Sequence, residues 1–92
     1  MDLLEKENNY LLIDVRDDYE YRNGHIPGAV NIPYQELIQG IKRIVPDVNK
    51  EIIVCCEKGY RSKQSVEKLK YIGYKNVHYF GSIYKYTGEL VK

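Results

Sequence analysis

A cysteine at position 56 opens a segment whose residue types could perform nucleophilic chemistry. It follows the apolar run IIVC and precedes Glu57, Lys58, Gly59, Tyr60, Arg61 and Ser62. A short glycine-containing loop between a strand and a helix directs backbone N–H groups toward one point, and the helix start adds a positive dipole end. A thiol placed there ionises more readily, and the thiolate is the nucleophile. A buried structural cysteine before an ordinary turn is the alternative, since free cysteines are among the most buried residues.

Apolar patterns on both sides of this segment indicate the elements that would position it. The run before Cys56 predicts a strand over 51–55, and a helical pattern extends from Arg61 or Ser62 to Ile72. Further strands are predicted at 11–15, 29–32 and 76–80, a short helix at 17–22 capped by Asp17 or Asp18, and a helix from Pro33 to about Val45. The apolar stripe of that last helix consists of Leu37, Ile38, Ile41, Ile44 and Val45.

Strands that alternate with helices predict an α/β fold with a largely parallel sheet of four to five strands covered on both faces. Ligands in such folds bind at the carboxyl ends of the strands. Cys56 lies at such an end, which favours an active thiol over a structural one.

Length and composition limit what this chain can be. With 92 residues it is long enough for one domain, which we assign to residues 1–92, and the 43% hydrophobic content supports a core. A net charge of +1 with interspersed signs gives no reason to expect nucleic acid as a partner. The amino terminus lacks the features of a signal peptide, and no stretch is long enough to span a membrane.

The two cysteines are adjacent and therefore point to opposite faces of a strand. A disulfide between them would be strained, so we predict free thiols and a cytoplasmic protein. The sequence contains no CxxC pair and no His/Cys cluster, which makes a metal site improbable.

Two motifs resemble the rhodanese-like domain family. The first is LIDVRDDYEYRNGHIPGAVNIP, at 12–33, and the second is CEKGYRS, at 56–62. A third, weaker match is YFGSIYKY, at 79–86, in which Ser82 replaces the second glycine of the family pattern and Tyr86 stands at the usual tryptophan position. The resemblance covers essentially the whole chain from Asp2.

This resemblance implies a three-layer fold with a five-stranded, largely parallel sheet, and it makes Cys56 the carrier of a transferable sulfur. The residues from Glu57 to Ser62 match the loop that holds this sulfur. Asp14, Arg16 and Glu20 match polar residues that we interpret as structural, with Arg16 paired to a carboxylate such as Glu20. His25 is expected to hydrogen-bond its turn, and His78 to be a surface or packing residue. Because family members usually begin with an edge strand, we expect the sheet either to lack that strand or to receive one from a partner.

The spacing of the loop separates the enzymes of this fold. Four residues lie between Cys56 and Arg61, which resembles sulfurtransferases; phosphatase and arsenate-reductase relatives have one more. We therefore predict transfer of a sulfane sulfur, from thiosulfate or a persulfide, to a thiol or cyanide, with no cofactor. A sulfur-accepting protein thiol is a further expected partner. A non-catalytic interaction or sulfide-sensing domain is the main alternative, and a small phosphatase or arsenate reductase is disfavoured.

Glu57 makes the identity of the sulfur donor uncertain. Lys58 and Arg61 each contribute one positive charge and Glu57 one negative charge, so the loop carries a side-chain charge of +1. This is a modest attraction for a dianion such as thiosulfate, and the like charge of Glu57 also opposes thiolate formation. Either the donor is a persulfide, or Glu57 points into solvent and its charge is screened.

Overall fold

A computed structural model describes residues 10–57 and 60–92, and of residue 60 the backbone alone. The described residues form four strands, which are β1 (Tyr10–Asp14), β2 (Val30–Asn31), β3 (Glu51–Cys56) and β4 (Val77–Ser82). They also form three α-helices, which are α1 (Asp18–Arg22), α2 (Leu37–Ile44) and α3 (Tyr60–Tyr71). Single 3-10 turns precede α2, at Tyr34–Glu36, and follow β4, at Ile83–Lys85.

The strands form one parallel sheet in the order β2-β1-β3-β4. Since all neighbouring pairs are parallel, the carboxyl ends of β1, β3 and β4 meet at one edge. Asp14 lies opposite Cys55 at that edge, and Cys56 lies opposite Ser82. The predicted α/β fold with a parallel sheet flanked by helices is confirmed. A fifth strand is not among the described elements, and its supply by a partner stays a prediction.

Successive residues of β3 face opposite layers of the molecule. Ile52, Val54 and Cys56 belong to a core cluster with Leu37 and Ile41 of α2 and Val66 and Leu69 of α3. Ile53 and Cys55 belong to a second cluster with Leu12, Ile26, Ala29 and Ile83. Both layers exclude water from the sheet, so β3 is held rigidly from both sides up to its last residue.

A β-bulge interrupts the pairing of β3 and β4 near the carboxyl edge. Val54 lies opposite Tyr79, but the next residue, Cys55, lies opposite Gly81, so Phe80 is the extra residue of β4. Gly81 has a φ of +98°, a conformation that residues with a Cβ rarely adopt. The bulge thus requires glycine at position 81 of β4, which lies opposite Cys55 near the end of β3.

The structure differs from the sequence predictions mainly at element boundaries. The segment after Pro33 begins as a 3-10 turn before α2 starts at Leu37. Leu37, Ile41 and Val45 are buried as predicted, but Ile44 is 47% exposed. The prediction that Ile44 belongs to the buried stripe is therefore wrong. Helix α3 starts at Tyr60, one residue before the predicted range.

Candidate active site

Cys56, the last residue of β3, contacts the first turn of α3. Its Sγ accepts a hydrogen bond from the backbone N–H of Ser62 at 3.3 Å. The Ser62 hydroxyl lies 3.5 Å from the same sulfur, as acceptor of the thiol proton, and donates to the carbonyl oxygen of Gly81 at 3.4 Å. A chain from thiol to hydroxyl to carbonyl thus joins β3, α3 and β4. The start of α3 points at Sγ, which is where an anionic sulfur is best stabilised.

The two adjacent cysteines have different surroundings, as the alternation of a strand predicts. Both are free and buried, Cys55 with no exposed surface and Cys56 with 3%. Burial first, and then the negative charge of Asp14, raise the pKa of the Cys55 thiol far above its usual range. Cys55 therefore stays a neutral thiol inside the apolar layer, which agrees with the prediction that the two cysteines point to opposite faces of the strand.

A cleft of about 320 Å³ opens over Cys56. Its volume is that of a site for a small molecule. Polar side chains dominate its walls. The polar residues are Arg16, Asp17, Tyr19, Glu20, Glu57 and Arg61, and Cys56 is the remaining residue of the lining.

Arg61 lies at the cleft but faces a carboxylate. Its Nη1 is 3.9 Å from Oδ1 of Asp17, with 44% of the arginine and 39% of the aspartate side chain exposed. A pair this long and this exposed contributes little free energy. Arg61 can therefore exchange Asp17 for an anion that enters the cleft.

Ser82 and Tyr84, which follow the bulge, both donate hydrogen bonds to Glu57. The hydroxyl of Ser82 donates to the carbonyl oxygen of Glu57, and the hydroxyl of Tyr84 donates to its Oε2 at 3.3 Å. Ser82 Oγ also accepts the N–H of Tyr84 at 3.1 Å. The sequence alone predicts no role for Ser82 or Tyr84. The one feature that distinguishes Ser82 is that it replaces the second glycine of the family pattern.

Arg16 pairs with a carboxylate as predicted, but that carboxylate is Asp14 and not the suggested Glu20. Instead of pairing with Glu20, it donates from Nε and Nη2 to both carboxylate oxygens of Asp14 at 2.9–3.1 Å, and from Nη2 to the carbonyl oxygen of Gly24 at 2.7 Å. Burial alone lowers the pKa of Arg16, but the hydrogen bond and the charge of Asp14 outweigh it, so that this pKa is raised. Glu20 instead accepts the backbone N–H of Asp17, the residue that caps α1.

Neither histidine lines the cleft over Cys56. His25 Nδ1 is 2.8 Å from the carbonyl oxygen of Tyr21, and the two rings stack with centroids 3.7 Å apart. His25 thus fastens its turn to α1, in keeping with the structural role expected. His78 is partly exposed on β4 and lies 3.3 Å from Glu51, as expected of a surface residue.

The structure brings together Cys56, Glu57, Arg61 and Ser62 of the predicted loop. Lys58 and Gly59 lie outside the described residues, as does the side chain of Tyr60. Within 10–57 and 60–92, no group of three or more His, Cys, Asp or Glu side chains could hold a metal ion. The helices of the same ranges are too short or too polar to cross a membrane.

Comparisons with known proteins agree with this geometry. The model of the rhodanese-like domain matches residues 1–89. The chain is 39% identical over 71 residues to the thiosulfate sulfurtransferase PspE of Escherichia coli, covering 77% of this chain and 68% of PspE. It is 36% identical over 92 residues to a tRNA uridine(34) hydroxylase of Buchnera aphidicola, covering 95% of this chain but only 29% of the hydroxylase.

Among solved structures, an E. coli rhodanese determined with anions superimposes with a TM-score of 0.85 at 36% identity, covering 90% of this chain and 98% of that one. The family model spans nearly the whole chain, and the parallel sheet flanked by helices agrees with this solved rhodanese fold. The chain belongs to the rhodanese-like domain family.

Proposed function

We propose that this protein is a sulfurtransferase that carries a sulfane sulfur as a persulfide on Cys56. The observation that carries the proposal is the hydrogen bond from the Ser62 N–H at the start of α3 to Cys56 Sγ, at 3.3 Å, beneath an open cleft. A donor aimed at Sγ from a helix start stabilises the thiolate relative to the thiol. The cleft gives a small donor access to that thiolate.

The reaction has two displacement steps. In the first, the Cys56 thiolate attacks the outer sulfur of thiosulfate, the S–S bond of the donor breaks, and sulfite leaves with the bonding electron pair. In the second, the thiolate of an acceptor, or cyanide, attacks the outer sulfur of the Cys56 persulfide. The persulfide bond then breaks, and the Cys56 thiolate is regenerated. The cysteine is itself the carrier, so the scheme uses no metal or organic cofactor.

The loop from Glu57 to Ser62 is proposed to bind the donor and the transferred sulfur. Arg61 is available at the cleft for an anionic donor, and the count of four residues between Cys56 and Arg61 favours a cradle for one sulfur atom over one for phosphate. The likeness to PspE supports thiosulfate as a donor. The likeness to the tRNA hydroxylase covers only 29% of that protein, so hydroxylation of a tRNA base is not part of the proposal.

The cellular compartment that we propose follows from the state of the two cysteines. Neither cysteine forms a disulfide, and a reducing compartment keeps a reactive thiol in that state, so we propose a cytoplasmic protein. Its partners would be a small sulfur donor or persulfide and an acceptor thiol, which a protein could supply. Residues 1–92 would act as one domain.

Intact-mass spectrometry after incubation with thiosulfate, and separately with a small persulfide, tests the proposal. We expect a gain of one sulfur atom that is reversed by cyanide with formation of thiocyanate. Cys56→Ser is the control and should gain nothing. Absence of the added sulfur with both donors would contradict the proposal, and hydrolysis of an aryl phosphate at a comparable rate would favour the phosphatase alternative.

A further inference from the structure

Glu57, at the mouth of the Cys56 cleft, is contacted at its backbone by Ser82 and at its carboxylate by Tyr84. Ser82 binds its backbone carbonyl and Tyr84 its side chain, and Ser82 also orders the backbone of Tyr84. Glu57 is half-buried and lines the cleft. These contacts favour one position of the carboxylate over the free rotation that an unattached glutamate would have. The ring of Tyr84 is 73% exposed, so this contact orients the carboxylate without removing it from water.

The other charges at the cleft do not offset this carboxylate. Arg16 is already paired with buried Asp14, and Arg61 faces Asp17. Among the described residues, two positive side chains in the lining are thus matched by two carboxylates. Glu20 and Glu57 are left as net negative charge at the cleft, although the whole chain carries +1. The count of +1 made from the sequence covers the loop alone and includes Lys58, and Asp14 of β1, the cap residue Asp17 and Glu20 of α1 add negative charge at or beside the cleft.

We propose that Glu57, positioned by Tyr84, is a specificity-determining residue that favours sulfur donors with a cationic group beside the sulfane sulfur. The inference rests on the proposed sulfurtransferase function. An attached positive charge gains Coulomb energy from Glu57, whereas a carboxylate or sulfonate loses it, and both effects decline as salt shortens the Debye length to about 10 Å at 0.1 M. The preferred substrate class is thus the persulfide of a cationic thiol, ahead of dianionic thiosulfate.

Two small persulfides of similar length and opposite charge allow the effect of donor charge to be measured while the reaction stays the same. The persulfide of cysteamine carries an ammonium group, and that of 3-mercaptopropionate carries a carboxylate. In either case the Cys56 thiolate attacks the outer sulfur of the protonated persulfide, the donor S–S bond breaks, and the donor leaves as its thiolate. Loading rates of Cys56 are measured by intact mass for both donors, at low and at high salt.

The wild-type protein should load faster from cysteamine persulfide, and high salt should reduce the ratio of the two rates. Glu57→Gln keeps the size of the side chain and should lower that ratio about fivefold, as expected for one nearby charge at a partly exposed site. Tyr84→Phe, which removes only the hydroxyl, should lower it by a smaller factor. Glu67→Gln makes the same charge change on the exposed side of α3, outside the cleft lining, and should leave the ratio unchanged.

The outcomes are distinguishable. Equal ratios in the wild type and Glu57→Gln, or an equal decrease in Glu67→Gln, would overturn the role of Glu57. A Tyr84→Phe ratio equal to that of the wild type would overturn the positioning role of Tyr84. If neither persulfide loads wild-type Cys56, the sulfurtransferase proposal itself fails, which is a different result from loading without charge preference.

Discussion

Cys55 and Cys56 are neighbours on one strand and are both buried, yet their thiols have different surroundings. Cys55 packs among apolar side chains below the sheet, and its pKa is raised by that burial. Cys56 faces the other layer, accepts the N–H of Ser62 and lines the cleft. Burial is almost equal in the two cases, so burial does not distinguish a reactive thiol from an inert one.

The difference between the two thiols comes from the elements that meet at the end of β3. Alternation along the strand sends Cys55 and Cys56 to opposite faces. The start of α3 lies on the side of Cys56, where the N–H and the hydroxyl of Ser62 both contact its Sγ. A register shift of one residue would exchange the two environments.

The largest expected effect is the loss of activity in Cys56→Ser. Serine is a poor nucleophile without an activating base, and it cannot form a persulfide. Cys55→Ala should keep most of the turnover, because it removes a sulfur from the opposite layer at a stability cost of about 1 kcal/mol. Thiocyanate formation from thiosulfate and cyanide measures the first effect, and chemical denaturation measures the second. Substantial turnover by Cys56→Ser would reverse the comparison.

Arg61→Ala should lower thiosulfate turnover by about tenfold or more. A charge-assisted contact between an arginine and an anion is worth about 1.5–3 kcal/mol. Loading from a neutral persulfide should decline less, since it lacks the anionic group. Equal losses with both donors, measured by steady-state kinetics and by intact mass, would show that Arg61 maintains the shape of the loop instead of binding the donor.

The raised pKa of Cys55 predicts how stability depends on pH. In the unfolded chain this thiol loses its proton near pH 8.5, whereas in the folded protein it stays protonated well above that value. Above about pH 8.5 unfolding therefore releases a proton, and stability decreases by up to about 1.4 kcal/mol per pH unit. Urea denaturation over this range should show a steeper decrease for the wild type than for Cys55→Ala. Parallel pH profiles would contradict the buried, neutral state of Cys55.

Ser62→Ala should have the smallest effect of the series. It removes the hydroxyl beside Cys56 but leaves the backbone N–H that donates to Sγ. A single hydrogen bond contributes about 0.5–1.5 kcal/mol net, so loading should slow by about threefold to tenfold. Ser65→Ala, which removes a buried hydroxyl bonded to the Arg61 carbonyl, is the matched control. If both variants slow loading equally, the effect belongs to the stability of α3 and not to Cys56.

Local patterns were sufficient to predict the fold and the place of Cys56. Apolar runs gave β1 and β3, and Asp17 as the cap of α1 is confirmed. The pairing of Arg16 with a carboxylate was predicted, but its identity as Asp14 was not, because the choice between Asp14 and Glu20 depends on how the chain folds back after β1. A signal for Glu20 was present, since an acid three residues after a capping aspartate is typical of a capping box.

Contacts across long sequence separations could not be predicted. Ser82 and Tyr84 reach Glu57 from 25 and 27 residues away, and only the pairing of β3 with β4 brings them together. Ile44 is the last residue of α2, and the apolar spacing of a helix does not indicate where its buried stripe ends. The count of +1 describes the loop alone, and the carboxylates of Asp17 and Glu20 that line the same cleft come from distant segments.

The site of the added sulfur tests the central claim most directly. Wild-type protein is incubated with a persulfide donor, alkylated under native conditions, digested and mapped by tandem mass spectrometry, which distinguishes the two adjacent cysteines. We expect the extra sulfur on Cys56 alone, with Cys55 unmodified until the protein is unfolded. Sulfur on Cys55, or an even distribution over both residues, would contradict the account.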